Sequence, residues 1–156
     1  MANKYMDEFD LSGKVAAITG AAGELCGAMS SALGSLGVKV ALLDIDFEKA
    51  EIKAEGICRD GGKAIAVQCD VLDKESLVRA SERIADEWRA PNLLINGAGG
   101  NHPMGTTDKE FFELGDLDDD QVKSFFDLPL EGFNKVLDLN FVGTFLPTQV
   151  FSRKMA

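Results

Sequence analysis

The sequence predicts an α/β fold of three layers, with helices on both faces of a parallel sheet, in one domain that spans residues 1–156. Four short apolar runs lack polar alternation, as expected for strands that are buried on both faces. Segments with apolar residues at helical spacing separate these runs, so strands and helices alternate along the chain. With 156 residues, of which 46% are hydrophobic, the chain can bury the core that such a sheet requires.

The first strand, the first helix and the second strand all lie before residue 45. A glycine-rich turn from Thr19 to Gly23 separates the first strand from the helix, and Gly37 is predicted to end that helix. The helix is predicted because apolar residues recur at helical spacing, at Leu25, Met29, Leu33 and Leu36. The predicted elements are a strand from Val15 to Ile18, a helix from Leu25 to Leu36 and a strand from Val38 to Leu43.

This order of elements, with an acid at its end, is typical of the βαβ unit that binds a dinucleotide in a Rossmann-type fold. Glycines such as Gly20 let the backbone approach a pyrophosphate, and the helix N-terminus offers free N–H groups and a positive dipole end. Asp44 follows Gly20 by about 24 residues, close to the spacing of roughly 20 at which an acid binds a ribose diol. A βαβ unit that binds no ligand is the alternative, because glycines and acids also form turns.

The alternation of strands and helices continues up to residue 100. Asp46 and Asp73 are predicted to cap the next two helices, and Pro91 stops the second of them. An apolar stripe on this second helix predicts a core face rather than a cofactor contact, and its members are Leu77, Ala80, Ile84 and Trp88. The other predicted elements are a helix that ends near Asp60, a strand from Ala64 to Gln68 and a strand from Leu93 to Asn96.

Residues from about 101 to 128 interrupt this alternation and form a predicted acidic insert. A connection of this length is usually functional or partly disordered. We expect a solvated excursion that is anchored by its aromatic residues, which are Phe111, Phe112, Phe125 and Phe126. A final helix is predicted to start with Pro129 at its first position and to bend at Pro147, where one helical hydrogen bond is lost.

Charge and composition exclude several classes of partner. A formal net charge of -10 argues against nucleic acid and against an anionic membrane surface. No apolar run is long enough to cross a bilayer and the N-terminus lacks the apolar region of a secretory signal, which together predict a cytoplasmic protein. Cys26, Cys58 and Cys69 are predicted to be buried or half-buried free thiols. No metal site is expected, because the single His102 and the cysteines lack the spacing of zinc ligands.

Several motifs together resemble the short-chain dehydrogenases/reductases. They are the run VAAITGAAGELCGAM, Asp44, CDV at 69–71, NGAG at 96–99 and DLNFVGT at 138–144. The resemblance covers nearly the whole chain in the family's order, and the finer texture is similar to the branch that acts on sugar acids, such as D-mannonate oxidoreductases (fructuronate reductases). It implies NAD-dependent hydride transfer between a sugar acid, or a related polyol, and its keto form. The expected strand order is 3-2-1-4.

The resemblance also implies a role for each of eleven residues. Asp44 would bind the adenosine ribose and favour NAD over NADP, because its carboxylate repels a 2′-phosphate. Asn140 matches the helix asparagine of the family's catalytic tetrad, which supports a proton-relay water through its backbone. A local role in the helix is the alternative for Asn140. The other implied contacts are Gly20, Ala22, Gly23 and Leu25 at the pyrophosphate, Asp70 and Val71 at the adenine, and Asn96, Ala98 and Gly99 beyond the fourth strand.

Two departures from the family pattern change what is expected. Its glycine pattern, TGxxxGxG, calls for glycines at 24 and 26, where this chain has Glu24 and Cys26. The only tyrosine, Tyr5, is followed four residues later by Phe9 rather than by lysine. The chain is therefore expected to correspond to the NAD-binding half of the family fold. We expect the outer edge of the fourth strand to pair with a complementing chain or a second copy, or to be covered by the insert or the last helix.

Two other classes of function stay open at this point. One is a nucleotide-binding module, or fragment, that lacks the serine, tyrosine and lysine of the family's catalytic half. The other is a methyltransferase, in which an acid also follows the second strand, although the NGAG and DLNFVGT motifs have no part in that chemistry. In each case a small molecule is the expected ligand.

Overall fold

The structure, a computed structural model, describes residues 10–156. The sequence also predicts that residues 1–13 form an arm in front of the first strand. Residues 1–9 of this arm, which include Tyr5 and Phe9, lie outside the described residues. Of the rest of that arm, Leu11 is partly buried and packs against the core. The backbone N–H of Gly13 donates to the carbonyl of Gly37 at 3.0 Å, which places the start of the first strand beside the end of the first helix.

Four parallel strands form one sheet in the order 3-2-1-4, as predicted. Each buried run of the sequence became a strand because its apolar side chains meet helices on both faces. The central strand β1 is fully buried. The strands are β1 Val15–Thr19, β2 Lys39–Asp44, β3 Lys63–Gln68 and β4 Leu93–Asn96.

Five α-helices accompany the sheet in the part of the chain that the structure describes. The predicted caps are confirmed, because the Asp46 side chain accepts a hydrogen bond from the N–H of Lys49 and that of Asp73 accepts one from the N–H of Glu75. The helices are α1 Glu24–Ser35, α2 Phe47–Arg59, α3 Lys74–Glu87, α4 Leu130–Leu137 and α5 Gly143–Met155.

The core has two halves, one on each face of the sheet, because successive strand residues point to opposite faces. On one face, the even-numbered residues of β1 pack with α1 and α2, and the cluster includes Ile18, Val40, Leu42, Ala50 and Ile57. On the other face, the odd-numbered residues pack with α3 and α5, and the cluster includes Val15, Leu43, Leu77, Ile84 and Phe151. The predicted stripe of α3 is confirmed, with Trp88 partly buried at its end.

The apolar residues at helical spacing in α1 do not form the buried side of this helix. Leu25, Met29 and Leu36 are exposed, and only Leu33 packs partly against the core. The buried side of this helix consists of the small residues Cys26, Gly27, Ser30 and Gly34. A Cβ on Gly34 would lie 2.6 Å from Cγ2 of Ile57, so α1 and α2 pack too closely for large side chains at their contact.

The last helical region differs from the single bent helix that was predicted. A π-helical segment, Asp138–Val142, joins α4 to α5, and the buried Pro147 lies inside α5. Pro129 caps α4 instead of occupying its first position. α5 covers one face of β4, where Leu94 belongs to the same cluster as Leu146 and Val150. Among residues 10–156 no strand pairs with the outer edge of β4, and its pairing with another chain stays a prediction.

The acidic insert contains three short 3-10 helices, at Pro103–Gly105, Leu114–Leu117 and Phe125–Asp127. Its aromatic residues do not anchor it: all four phenylalanines are exposed, and Phe126 stacks edge-on against Phe112 and Phe125. Polar contacts hold the insert instead. Asp116, which is buried, accepts from the Lys109 ammonium and from the N–H of Glu113, and Lys123 Nζ donates to the carbonyl of Pro103 at 2.6 Å.

These contacts make the insert sensitive to acid. Hydrogen bonds from Lys109 and from the Glu113 backbone lower the pKa of Asp116 below its ordinary value of 3.8. Because the folded form has the lower pKa, the contribution of Asp116 to stability is present above that ordinary value and is lost as the pH falls through the lowered one. We expect the N–H of Glu113 to lose its protection from hydrogen exchange in this acidic range.

The matched variant is Asp116→Asn, which should show weak protection of the same amide already at pH 7. Asp118→Asn removes an exposed carboxylate of the same insert and should change nothing. Amide exchange followed by NMR measures both variants. Unchanged protection in Asp116→Asn would assign the order of the insert to other contacts.

Three further expectations concern the cysteine thiols, a metal site and a membrane-spanning helix. Cys26 and Cys69 are buried free thiols, and burial raises the pKa of Cys69 to about 11, but Cys58 is exposed, contrary to the prediction. Between residues 10 and 156, no three His, Cys, Asp or Glu side chains come together as metal ligands would. In the same range, no helix has both the length and the apolar character needed to cross a bilayer.

Candidate functional site

A cleft opens where the carboxyl ends of β1, β2 and β4 meet the N-terminus of α1. Its larger part has a volume of about 430 Å³ and runs along the glycine turn, while a smaller part extends to the end of β3. Both parts share the lining residues Gly20, Asp44, Ile45, Ala98 and Leu139. Ligands of open parallel sheets bind at such a strand end.

Most of the predicted contacts do meet at this cleft. The predicted residues that line it are Gly20, Gly23, Leu25, Asp44, Asp70, Val71, Ala98 and Gly99. Ala22 is attached to it through Asp44, and Asn140 lies beside the lining residue Gly99, where a Cβ would be 2.7 Å from the side-chain oxygen of Asn140. Asn96 lies behind the cleft, where its side chain is directed toward α5.

Gly20 allows two backbone segments to come into contact. Its φ of +66° lies in the left-handed region, which glycine adopts without strain. A Cβ at this position would lie 2.7 Å from both the nitrogen of Ala98 and the carbonyl oxygen of Gly97. The turn after β1 therefore packs directly on the loop after β4, and together they form one wall of the cleft.

Thr19 was not among the predicted site residues, although it fixes this wall. Its hydroxyl is fully buried and accepts hydrogen bonds from the N–H groups of Gly97 at 3.1 Å and Ala98 at 3.2 Å. A hydroxyl at the end of a buried strand must find partners, so the sequence carries a signal for Thr19 but not the identity of its partners. Cys26 packs against the same loop, since a Cβ on Gly97 would overlap its sulfur.

Replacing Thr19 with valine tests the hydroxyl. Thr19→Val keeps the shape of the side chain but leaves two N–H groups without their acceptor. We expect a loss of about 1 kcal/mol in the free energy of unfolding, the low end of the usual range because water can reach Gly97. Chemical denaturation measures this loss. Thr19→Ser keeps the hydroxyl and is the control, and equal stabilities of the two variants would contradict the role of the hydroxyl.

Asp44 is held in place by two backbone groups. Its Oδ2 accepts from the N–H of Ala22 in the glycine turn, and its Oδ1 accepts from the N–H of Asp46, each at 2.9 Å. The nearby Lys49 is paired with Asp46 at 2.6 Å, and its pKa is raised mainly by Asp46 and to a smaller extent by Asp44. Lys49 therefore already has a carboxylate partner.

Asp70 and Val71 form the end of the smaller part of the cleft. The Asp70 carboxylate accepts from the N–H of Leu72 at 2.8 Å, and the hydroxyl of Ser76 accepts from the N–H of Asp70 at 3.1 Å. Val71 is buried, and a Cβ on Gly143 would lie 3.0 Å from its Cγ2. These contacts hold Asp70 and Val71 in place at this end of the cleft.

Asn140 joins the π-helical segment to the loop after β4. Its side-chain oxygen accepts from the N–H of Gly100 at 3.1 Å, and its amide donates to the carbonyls of Gly100 and Val136, each at 2.8 Å. The local role that was the alternative for Asn140 is therefore present, together with a contact across 40 residues of sequence. The hydroxyl of Thr144 donates to the Asn140 carbonyl at 3.0 Å.

Sheet order, glycine turn and strand-end acid together define a Rossmann-type dinucleotide-binding fold. More specifically, the chain belongs to the short chain dehydrogenase family, whose model matches residues 14–156. This membership confirms the resemblance noted above and places the chain in a family of oxidoreductases. It does not agree with a methyltransferase.

Similar proteins include several oxidoreductases. An uncharacterized oxidoreductase of Bacillus subtilis, UxuB, is 46% identical over 94% of this chain and 51% of its own length. A D-threitol dehydrogenase of Mycolicibacterium smegmatis is 30% identical over 95% of this chain and 50% of its own length. The chain thus spans about half the length of the curated relatives that it matches.

A crystal structure from Haemophilus influenzae shows the same fold. It contains a protein assigned as a D-mannonate oxidoreductase with bound NAD, and it matches with a TM-score of 0.89 and 40% identity over 94% of this chain and 51% of that chain. The expected cofactor is therefore confirmed at the level of the relatives.

Proposed function

We propose that the chain is the dinucleotide-binding part of an NAD-dependent oxidoreductase that interconverts a sugar acid, or a related polyol, and its keto form. The observation that carries this proposal is the anchored carboxylate of Asp44 beside the close contact of Gly20 with the loop after β4. The NAD of the solved relative and the sugar alcohol in the name of the threitol enzyme support it.

The residues of the cleft fit such a cofactor. Gly20 and Gly23 carry no side chain, and the turn ends at the N-terminus of α1. The first N–H groups of that helix, from Glu24 to Cys26, lack intrahelical partners and can bind a pyrophosphate. Asp44 would accept hydrogen bonds from the adenosine ribose, and Asp70 and Val71 would contact the adenine. When bound, the nicotinamide supplies the hydride chemistry, and the protein positions it.

Beyond the fourth strand, Ala98 and Gly99 would line the nicotinamide half of the cofactor. A Cβ on Gly99 would lie 2.7 Å from the side-chain oxygen of Asn140, so Asn140 approaches this loop closely where it has no side chain. Asn140 is proposed to hold a proton-relay water through its backbone. Its side-chain bonds to Gly100 would keep that backbone and the loop after β4 in register. Asn96 would support the loop from behind.

The charge of the substrate depends on the acidic insert. In the structure, Asp108, Asp116 and Asp127 are engaged in hydrogen bonds within the insert. None of the described residues that line the cleft comes from residues 101–128. An anionic sugar acid is therefore compatible with the fold of the insert, and a neutral polyol or ketone is the alternative substrate.

The second candidate function is a nucleotide-binding module without catalysis of its own. It is favoured by the sequence, in which the only tyrosine has no lysine four residues later. A homo-oligomer, or a complex with a complementing chain, and a cytoplasmic location stay predictions.

Titration of the chain with NADH separates these functions. NADH fluorescence reports binding, and the oxidation of NADH with D-fructuronate or with a neutral ketose reports turnover. Binding with turnover supports the oxidoreductase, and the preferred substrate reveals its charge. Binding without turnover supports the module. The absence of binding at millimolar NADH would contradict both.

A further inference from the structure

An ion pair between Glu24 and Lys53 lies at the edge of the cleft. Glu24 is the first residue of α1 and lines the larger part of the cleft. Lys53 lies on α2, and its Nζ is 3.4 Å from Oε1 of Glu24. The side chain of Glu24 is 96% exposed, whereas that of Lys53 is only 27% exposed. The lysine is thus the more constrained partner.

Gly27 provides the path that Lys53 follows. A Cβ on Gly27 would lie 2.8 Å from Nζ, 2.9 Å from Cδ and 3.1 Å from Cε of Lys53. The lysine stem therefore lies across α1 in contact with Gly27, and its ammonium is directed toward the first turn of that helix. Glu24 stands where the glycine pattern of the family calls for glycine, and Gly27 lies one position after the other expected glycine, at 26.

A carboxylate at this position opposes the proposed cofactor. A pyrophosphate bound at the glycine turn would carry negative charge close to Glu24, and like charges that lie close together repel each other. The positive end of the helix dipole compensates for only part of this. An exposed ion pair contributes little to folding stability, so stability alone does not account for the buried path of Lys53.

We propose that Lys53 is a positioning residue for cofactor binding, which acts by neutralising Glu24 beside the pyrophosphate. This inference rests on the proposed binding of NAD. In this arrangement the pair has no net charge, and the first N–H groups of α1 receive the phosphates without competition from a free carboxylate. Lys53 acts through Glu24 and does not itself contact the phosphates.

A double-mutant cycle on NADH affinity tests the proposal. Lys53→Met should weaken binding about fivefold or more at low ionic strength, because it leaves Glu24 unpaired. Glu24→Gln should bind NADH at least as tightly as the unmodified chain, and Lys53→Met in the Glu24→Gln background should have little effect. The loss in Lys53→Met should shrink as salt is added, since the repulsion is screened.

Lys63→Met is the matched control. It removes the same charge from the start of β3, at the end of the sheet opposite the cleft. Circular dichroism confirms that each variant is folded, and Lys53→Gln repeats the test with a polar side chain. Equal affinities of Lys53→Met and Lys63→Met would overturn the inference, and so would an equal loss in the presence and absence of Glu24. A failure of the unmodified chain to bind NADH would overturn the proposed function as well.

Discussion

Gly20→Ala is expected to destabilise the chain by about 2–5 kcal/mol and to abolish nucleotide binding. An alanine in the left-handed region costs about 1–2 kcal/mol. Its Cβ would also lie 2.7 Å from two backbone atoms of the loop after β4, an overlap that no change of rotamer can relieve. Overpacking of this kind adds about 1–3 kcal/mol. The turn after β1 and the loop after β4, which together form one wall of the cleft, must move apart, so they can no longer bind one ligand.

Two other glycines separate these contributions. Gly13 has nearly the same φ, +70°, but nothing lies within 4 Å of its Cβ position, so Gly13→Ala measures the conformational cost alone. Gly56 lies within α2 with open space around it, and Gly56→Ala should be neutral or slightly stabilising. Chemical denaturation and NADH titration of all three variants give the comparison. If Gly20→Ala lost no more stability and no more NADH affinity than Gly13→Ala, the contact of Gly20 with the loop after β4 would contribute to neither.

Asp44→Asn should remove a preference for NAD over NADP. We expect the unmodified chain to bind NAD(H) at least tenfold more tightly than NADP(H), and the variant to bind both with similar affinity. Two unit charges about 4 Å apart near a protein surface interact by roughly 4 kcal/mol, and about 1.4 kcal/mol suffices for a factor of ten. The pairing of Lys49 with Asp46 leaves the 2′-phosphate without a ready partner.

The variants of Asp44 also distinguish charge from support. Asp44→Asn keeps one side-chain oxygen, which can accept from the N–H of Ala22 or of Asp46. Asp44→Ala keeps no side-chain acceptor for these groups. Asp44→Ala should therefore also weaken NAD binding, because the glycine turn loses its anchor. Asp60→Asn, at the far end of α2, is the control. Calorimetric titration with both nucleotides is the measurement, and equal or tighter binding of NADP by the unmodified chain would refute the assignment.

The sequence predicted those elements in which local and tertiary signals agree. Helix α3 combines an aspartate cap with a clear apolar stripe, and both were found. The apolar spacing of α1 does not mark its buried side, because that side is made of small residues, which carry no hydrophobic periodicity. The phenylalanines of the insert misled in the opposite sense, since apolar character alone does not ensure burial.

The site was predictable to the extent that its residues lie in one motif or follow a strand. Gly20, Asp44 and Ala98 were found because parallel strands bring their carboxyl ends together. The contacts of Thr19 with the loop and of Lys53 with Glu24 join residues that lie 78 or 79 and 29 positions apart. No spacing rule relates such positions, so their partners became known only from the fold.

The contact between Cys26 and Gly97 limits how this family of sequences can diverge. Because a Cβ at 97 would overlap the Cys26 sulfur, a side chain can be gained at 97 only after the residue at 26 has become smaller. Descendants of an ancestor with this pair therefore cannot change the two positions independently. Among related chains, a bulkier residue at 97 should occur together with glycine at 26, and the order of the two substitutions on a lineage should run from 26 to 97.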